Sequence, residues 1–153
     1  VLHIVLVSPE IHWNTGNAGR TCLALGARLH LVGPLGFSLD ERHVRRAGLD
    51  YWERVDLRVW PSWEAFQAEL PALGAPTYFT AAAERTYWDV PYRDPCVLVF
   101  GRESVGLPPA LLAANADRTA RIPMMPGSAR SLNLSTAVAL AAYEAARQCG
   151  TFA

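Results

Sequence analysis

The chain has 153 residues, half of them apolar, with 14 basic and 14 acidic side chains and a formal charge of zero. This length suits one domain over residues 1–153 with a full core, and the charge balance gives no net-charge argument for a nucleic-acid partner. No apolar run is long enough to span a bilayer or placed to act as a secretory signal, so a soluble cytoplasmic protein is expected.

The elements alternate. Leu2 to Val7 is a near-continuous apolar run, the mark of a buried parallel strand. A turn-rich stretch from Ser8 to Asn17 follows, then a helix from Ala18 to Ala27 and a strand from Leu29 to Val32. Asp40 caps a short helix reaching Ala47. Val55 to Trp60 alternates like a strand. Ser62 caps a helix from Trp63 to Leu70 that Pro71 stops. Thr77 to Ala81 and Cys96 to Phe100 read as strands. A helix from Pro108 to Ala114 tolerates prolines at its start. Arg118 to Ile122 is a last short strand, and Leu134 to Gln148 is a long Ala-rich helix.

Strands separated by helices predict an α/β fold, a parallel sheet with helices on both faces. Ligands in such folds sit at the carboxyl ends of strands. Chemistry is therefore expected in the loops after Val7, Ala81, Phe100 and Ile122. Cys22, Cys96 and Cys149 are odd in number and widely spaced, which argues against a disulfide framework and against zinc. All 14 basic residues are Arg. An Arg fork fits phosphates and stacks on bases, though codon bias accounts for the same usage.

Three segments concentrate unusual residues. In Pro9-Glu10-Ile11-His12-Trp13-Asn14-Thr15-Gly16-Asn17-Ala18-Gly19-Arg20, Asn14 is a candidate helix cap and Arg20 lies near the helix start, where a phosphate is favoured. An N-cap beside a surface Arg is the plain structural reading. The segment is neither a phosphate loop nor a dinucleotide fingerprint. In Phe100-Gly101-Arg102-Glu103-Ser104-Val105-Gly106-Leu107-Pro108, Glu103 either bonds a ligand or holds the loop. In the stretch from Ile122 to Ser135, Pro and Gly shape a loop, and Ser131 and Asn133 stand at a helix start, where both residue types are common caps.

In this order the three segments resemble motifs 1, 2 and 3 of the SPOUT superfamily of RNA methyltransferases. Gly36-Phe37 and Arg45-Arg46-Ala47-Gly48-Leu49-Asp50-Tyr51 are similar to the short tRNA (cytidine/uridine-34-2′-O)-methyltransferases. The resemblance covers nearly the whole chain. It implies a C-terminal trefoil knot, which pattern reasoning alone would reject, and S-adenosylmethionine as methyl donor without a metal. It implies transfer to the ribose 2′-hydroxyl of the wobble nucleotide in a tRNA anticodon stem-loop. Donor contacts carry over to Thr80 or Phe79, Gly101, Ile122, Ser131 and Leu132. The active centre carries over to Asn14, Arg20, Glu103, Ser131 and Asn133.

Free arginine is a very poor base, so Arg20 is assigned to holding phosphate and stabilising the developing oxyanion. The proton acceptor is left among Arg20, the phosphate, Glu103 and water. Arg102 stands where the family commonly has proline, Ala81 to Ala83 replace a Thr/Lys-rich stretch, and His12-Trp13 replace a proline pair. Trp13 either stacks a base or packs in the core. The resemblance also implies a homodimer through the last helix, where Ala137, Ala141, Ala142 and Ala145 form a small-residue face. Packing within one chain explains that face equally. Arg42, Arg45 and Arg46 either meet tRNA phosphates or form a solvated helix face. The rival readings are the same chemistry on another tRNA position or on ribosomal RNA, and a non-catalytic nucleotide- or RNA-binding α/β module.

Overall fold

Apolar runs short enough to be strands and too apolar to face water must be covered on both sides, and Leu2–Val7 (β1) is such a run, buried from His3 onward. The structure, a computed structural model, describes residues 1–39 and 49–153. The further strands are β2 (Arg28–Val32), β3 (Leu57–Trp60), β4 (Ala75–Phe79), β5 (Cys96–Phe100) and β6 (Thr119–Ala120). They form one sheet in the order β3-β2-β1-β5-β4-β6, and every pairing is parallel. The helices are α1 (His12–Leu25), α2 (Trp63–Leu73), α3 (Pro109–Ala114) and α4 (Leu134–Cys149).

Side chains alternate across a strand, and here each set finds its own helices. Ile4, Leu6, Leu29, Leu31, Leu98 and Phe100 share a core with Ala18, Cys22 and Leu25 of α1 and with Val138, Ala141, Ala142 and Ala145 of α4. The opposite residues Val5, Val7, Val32, Val97 and Val99 pack with Phe66 and Leu70 of α2 and with Leu107. The expected α/β architecture with both faces covered is present. Ala141, Ala142 and Ala145 of α4 are fully buried within the chain and Ala137 is half-buried, so these small residues serve close approach to the sheet and α1.

Several boundaries differ from expectation. Helix α1 starts at His12, so Asn14 lies inside its first turn and does not cap it; Ile11 holds the N-cap position without a side-chain bond. Helix α2 runs through Pro71 to Leu73. Pro71 sits in an exposed last turn, where only one N–H is forgone and water reaches the freed carbonyl. Strand β4 ends at Phe79, and β6 has only two residues. The expected helix over Asp40 to Ala47, and with it Arg42, Arg45 and Arg46, lies outside the described residues.

The register aligns Leu6 with Phe100, Tyr78 with Val99 and Phe79 with Ala120. The carboxyl ends of β1, β5, β4 and β6 therefore lie side by side. All the loops that carry the three segments leave the sheet along this one edge.

One face of β1, β2 and β3 carries a buried polar group that the sequence reading did not single out. His3 Nδ1 lies 2.9 Å from His30 Nε2, and Trp60 Nε1–H donates to His30 Nδ1 at 3.1 Å. The Trp60 bond fixes the tautomer. His30 accepts at Nδ1, so its proton sits on Nε2 and is donated to His3. Every buried nitrogen in the contact is used while both rings stay neutral.

Candidate functional site

The loops after β1 and β5 are tied by a single carboxylate. Glu103 Oε1 accepts from the backbone N–H of Glu10 at 2.8 Å, and its Oε2 accepts from the N–H of Ile11 at 3.0 Å and from Asn14 Nδ2 at 3.1 Å. The start of α1 lacks a cap of its own, and an anion there satisfies free amides and the helix dipole. Glu103, some ninety residues on, does the work of that cap. Glu10 returns the tie, since its carboxylate accepts from the N–H of Ser104 at 2.8 Å. The hydroxyl and N–H of Ser104 hold the Glu10 carboxyl below its ordinary value.

The chain of bonds continues into the third segment with a defined polarity. A carboxylate can only accept, so Asn14 presents its amide nitrogen to Glu103 and its oxygen to Asn133. Asn133 Nδ2 donates to Asn14 Oδ1 at 3.0 Å. The oxygen of Asn133 is then left to accept from the N–H groups of Ser135 and Thr136 at 2.9 and 3.3 Å and from the Ser135 hydroxyl at 2.6 Å. Asn133 is the N-cap of α4. Glu103, Asn14 and Asn133 thus join the three segments within one chain.

Asn133→Ala removes the cap and the amide that donates to Asn14 Oδ1 together. Loss of an N-cap costs about 1 kcal/mol, and the released segment before α4 is where donor contacts are expected. Donor affinity, read by titration calorimetry, is expected to fall at least about tenfold, with a melting temperature a few degrees lower. Unchanged affinity would separate the cap from the donor loop.

Gly101 is explained by close approach. A Cβ there would stand 2.1 Å from the carbonyl carbon of Gly106 and 2.2 Å from the nitrogen of Leu107. The loop closes on itself, with Gly106 N–H donating to the Arg102 carbonyl at 2.9 Å and Gly106 at a positive φ of 73°. Only glycine at 101 lets the strand end and the returning loop touch.

The remaining candidates are placed as follows. Phe79 is buried and stacked on Phe100, with ring centroids 4.6 Å apart. Thr80, the first residue beyond β4, donates its N–H to Ala120 and accepts from Ala82 and Ala83 within its own turn. Ile122 and Leu132 are half-buried and Ser131 is exposed. Arg20 does not join the Asn14 network. Six residues along a helix is about 9 Å of rise and roughly 120° of rotation, so Arg20 faces solvent while Asn14 faces inward. Its guanidinium lies over the Tyr51 ring, 5.4 Å from the centroid. Trp13 is exposed, which excludes the core-packing alternative.

Among the described residues no group of three or more His, Cys, Asp or Glu side chains is placed to hold a metal, and no helix is long and apolar enough to cross a membrane. The sequence reading missed the role of Glu10. Its only signal was position, an acidic residue just past a buried strand. Its partner, a backbone amide in another loop, has no sequence signature.

The chain is similar to known proteins. Residues 1–143 match the SpoU rRNA Methylase family. The chain is 47% identical over 152 residues to a tRNA (cytidine(34)-2′-O)-methyltransferase of Burkholderia pseudomallei, which spans 98% of this chain and 97% of that protein. It is similar to a solved structure concerned with the 2-OH methylation of C/U34 on tRNA, with a TM-score of 0.90 and 50% identity over 96% of this chain and 95% of that one. It is also similar to a SpoU methyltransferase of Streptomyces viridochromogenes solved with the cofactor AdoMet, with a TM-score of 0.77 and 28% identity over 95% of this chain and 57% of that one. The sheet order, the three tied loops and these likenesses agree, and the chain belongs to the SpoU methylase family.

Proposed function

We propose that this protein transfers a methyl group from S-adenosylmethionine to the ribose 2′-hydroxyl of the wobble nucleotide, position 34, in the anticodon stem-loop of tRNA. The observation that carries the reading is the Glu103–Asn14–Asn133 chain, which gathers three distant segments at one sheet edge. The names of the near full-length relatives supply the substrate.

The donor fits the residues present. The ends of β5, β4 and β6 are neighbours in the sheet, and the segment that follows β6 carries the half-buried apolar residues Ile122, Met124 and Leu132. Gly101, Ile122, Ser131 and Leu132, with the turn at Phe79 and Thr80, would hold the donor, whose sulfonium makes the methyl electrophilic. The ribose oxygen then attacks the methyl carbon as the sulfur–carbon bond breaks, and the hydroxyl proton leaves to phosphate or water. Alignment of the two reactants contributes roughly 7–11 kcal/mol in well-oriented systems. Arg20 holds the phosphate and stabilises the oxyanion. Glu103 acts through Asn14 and the α1 start, and is a positioning residue.

Two structural features belong to the same proposal. The C-terminus is threaded as a trefoil knot within a single 1–153 domain. Supporting this, β6 pairs with β4 while α4 returns across β1 and β5, and Gln148 on α4 bonds the backbone of Tyr92 and Trp88. The protein is a homodimer through α4. Its outer face presents Leu140, Tyr143 and the adjacent Phe152 to solvent, and the two rings stack at 6.2 Å.

The test is incubation with labelled donor and total tRNA, followed by digestion to nucleosides. Label on the ribose of the position-34 nucleoside is the expected result. Label elsewhere in tRNA or in ribosomal RNA redirects the reading, and donor binding without turnover ends it.

A further inference from the structure

One face of α1 is left to solvent beside the site. Residues 13, 17, 20 and 24 are exposed, while Thr15, Ala18, Gly19, Cys22 and Leu25 on the other side are buried. The stripe therefore presents Trp13, Asn17 and Arg20 in line. An indole that is 52% exposed keeps a large aromatic face in water, the kind of surface on which a base can stack. The ring is not loose. His12 packs edge-on against it at 4.9 Å, and Phe37 packs edge-on against His12 at 6.4 Å. The Arg20 end is backed by the Tyr51 ring.

We infer that Trp13 is a base-stacking platform for the single-stranded RNA flanking the methylated nucleotide, and that the Trp13–Asn17–Arg20 face tracks that strand. The inference rests on the function proposed above, in which Arg20 holds the phosphate at the target. Seven residues place Trp13 and Arg20 on the same side of the helix, about 10.5 Å apart along its axis. That is about three stacking steps at roughly 3.4 Å each, so the base on Trp13 lies within three nucleotides of the target. Aromatic faces accept any base, and guanidinium groups follow the phosphates. This matches a chain with no net positive charge, since affinity not supplied by charge can come from stacking. Asn14, the next residue, belongs to the Glu103–Asn133 chain, so the platform is fixed to the same turn that organises the site.

The test pairs enzyme variants with RNA variants. Wild type, Trp13→Ala and Trp13→Phe are assayed on a tRNA stem-loop with a single abasic ribose at each of the three nucleotides on either side of the target. Trp13→Ala is expected to raise KM for RNA between about 5-fold and 100-fold, the range that base–aromatic stacking supplies. Its kcat, donor affinity, melting temperature and sedimentation are expected to stay as in wild type, and Trp13→Phe is expected to recover most of the loss. One abasic position should weaken wild type by a similar factor and add nothing in Trp13→Ala. An unchanged KM, additive losses at every position, or altered sedimentation overturns the inference. If wild type methylates tRNA while KM ignores Trp13, only this inference falls. If wild type transfers no methyl to tRNA, the proposed function falls and takes this inference with it.

Discussion

Arg20→Ala is expected to lower the rate of methyl transfer by about 10²–10³-fold or more, the cost of removing one preorganised donor from a developing oxyanion, while donor affinity stays at its wild-type value. The separation follows from the geometry. The donor-binding candidates lie in the loops after β4, β5 and β6, whereas Arg20 stands on the exposed face of α1 and bonds none of the Glu103, Asn14 and Asn133 side chains. Its removal therefore leaves the loop ties intact, and its loss from a solvent-facing helical position costs little stability. Arg20→Lys keeps the charge but not the planar fork, and is expected to recover only part of the rate. Single-turnover methylation and titration calorimetry read the two halves independently. Wild-type rates in Arg20→Ala would remove the residue from the chemistry.

Stability is expected to fall steeply on acidification from pH 6.5 towards pH 3, because of the buried histidine pair. Burial pushes His30 down to about 3, with His3, Arg28 and Arg58 acting in the same direction and Asp56 against it. His3 is lowered as well, again chiefly by burial. Geometry agrees, since a proton on His30 Nδ1 would face the Trp60 N–H, and one on His3 Nδ1 would face the His30 N–H. The folded pKa lies below the unfolded value of about 6.5. Between these limits the unfolded chain binds a proton that the folded chain refuses, so stability is fully present above the unfolded pKa and drains as pH falls. The slope approaches about 1.4 kcal/mol per pH unit for each such group, several kcal/mol in all against a typical total of 5–15. His30→Leu is expected to be less stable at neutral pH, because Trp60 and His3 lose their partner, yet less sensitive to acid. Urea midpoints at pH 7.5 and pH 5 for the two proteins check this, and parallel losses in both would refute the assignment.

Pattern alone was enough for the parts of the fold that depend on local periodicity. Leu2–Val7 and Cys96–Phe100 are unbroken apolar runs and are strands at those bounds. The long Ala-rich helix, capped by Asn133, is present from Leu134 to Cys149. Pattern places loop over the first two turns of α1, where residues 12–18 contain two Asn and a Gly. A carboxylate from a distant loop bonds the amides of Glu10 and Ile11 at the entry to that helix, a term absent from any local window. Pro71 reads locally as a stop, yet α2 continues to Leu73, since the cost of a proline near a helix end depends on how exposed that end is.

The candidate site divides the same way. Residue types and their order along the chain marked Asn14, Glu103 and Asn133 as unusual and placed them after buried strands, because strand ends in a parallel sheet are where loops meet ligands. Only the tertiary structure decided that Asn14 bonds rather than caps, that Glu103 faces it, and that the Asn133 amide points one way. Those facts depend on contacts between residues some 90 to 120 positions apart, whose geometry is set by strand order and register rather than by neighbours in sequence. The outward turn of Arg20 and the exposure of Trp13 belong to that second class too, since a helix fixes which residues share a face but packing alone decides which face meets water.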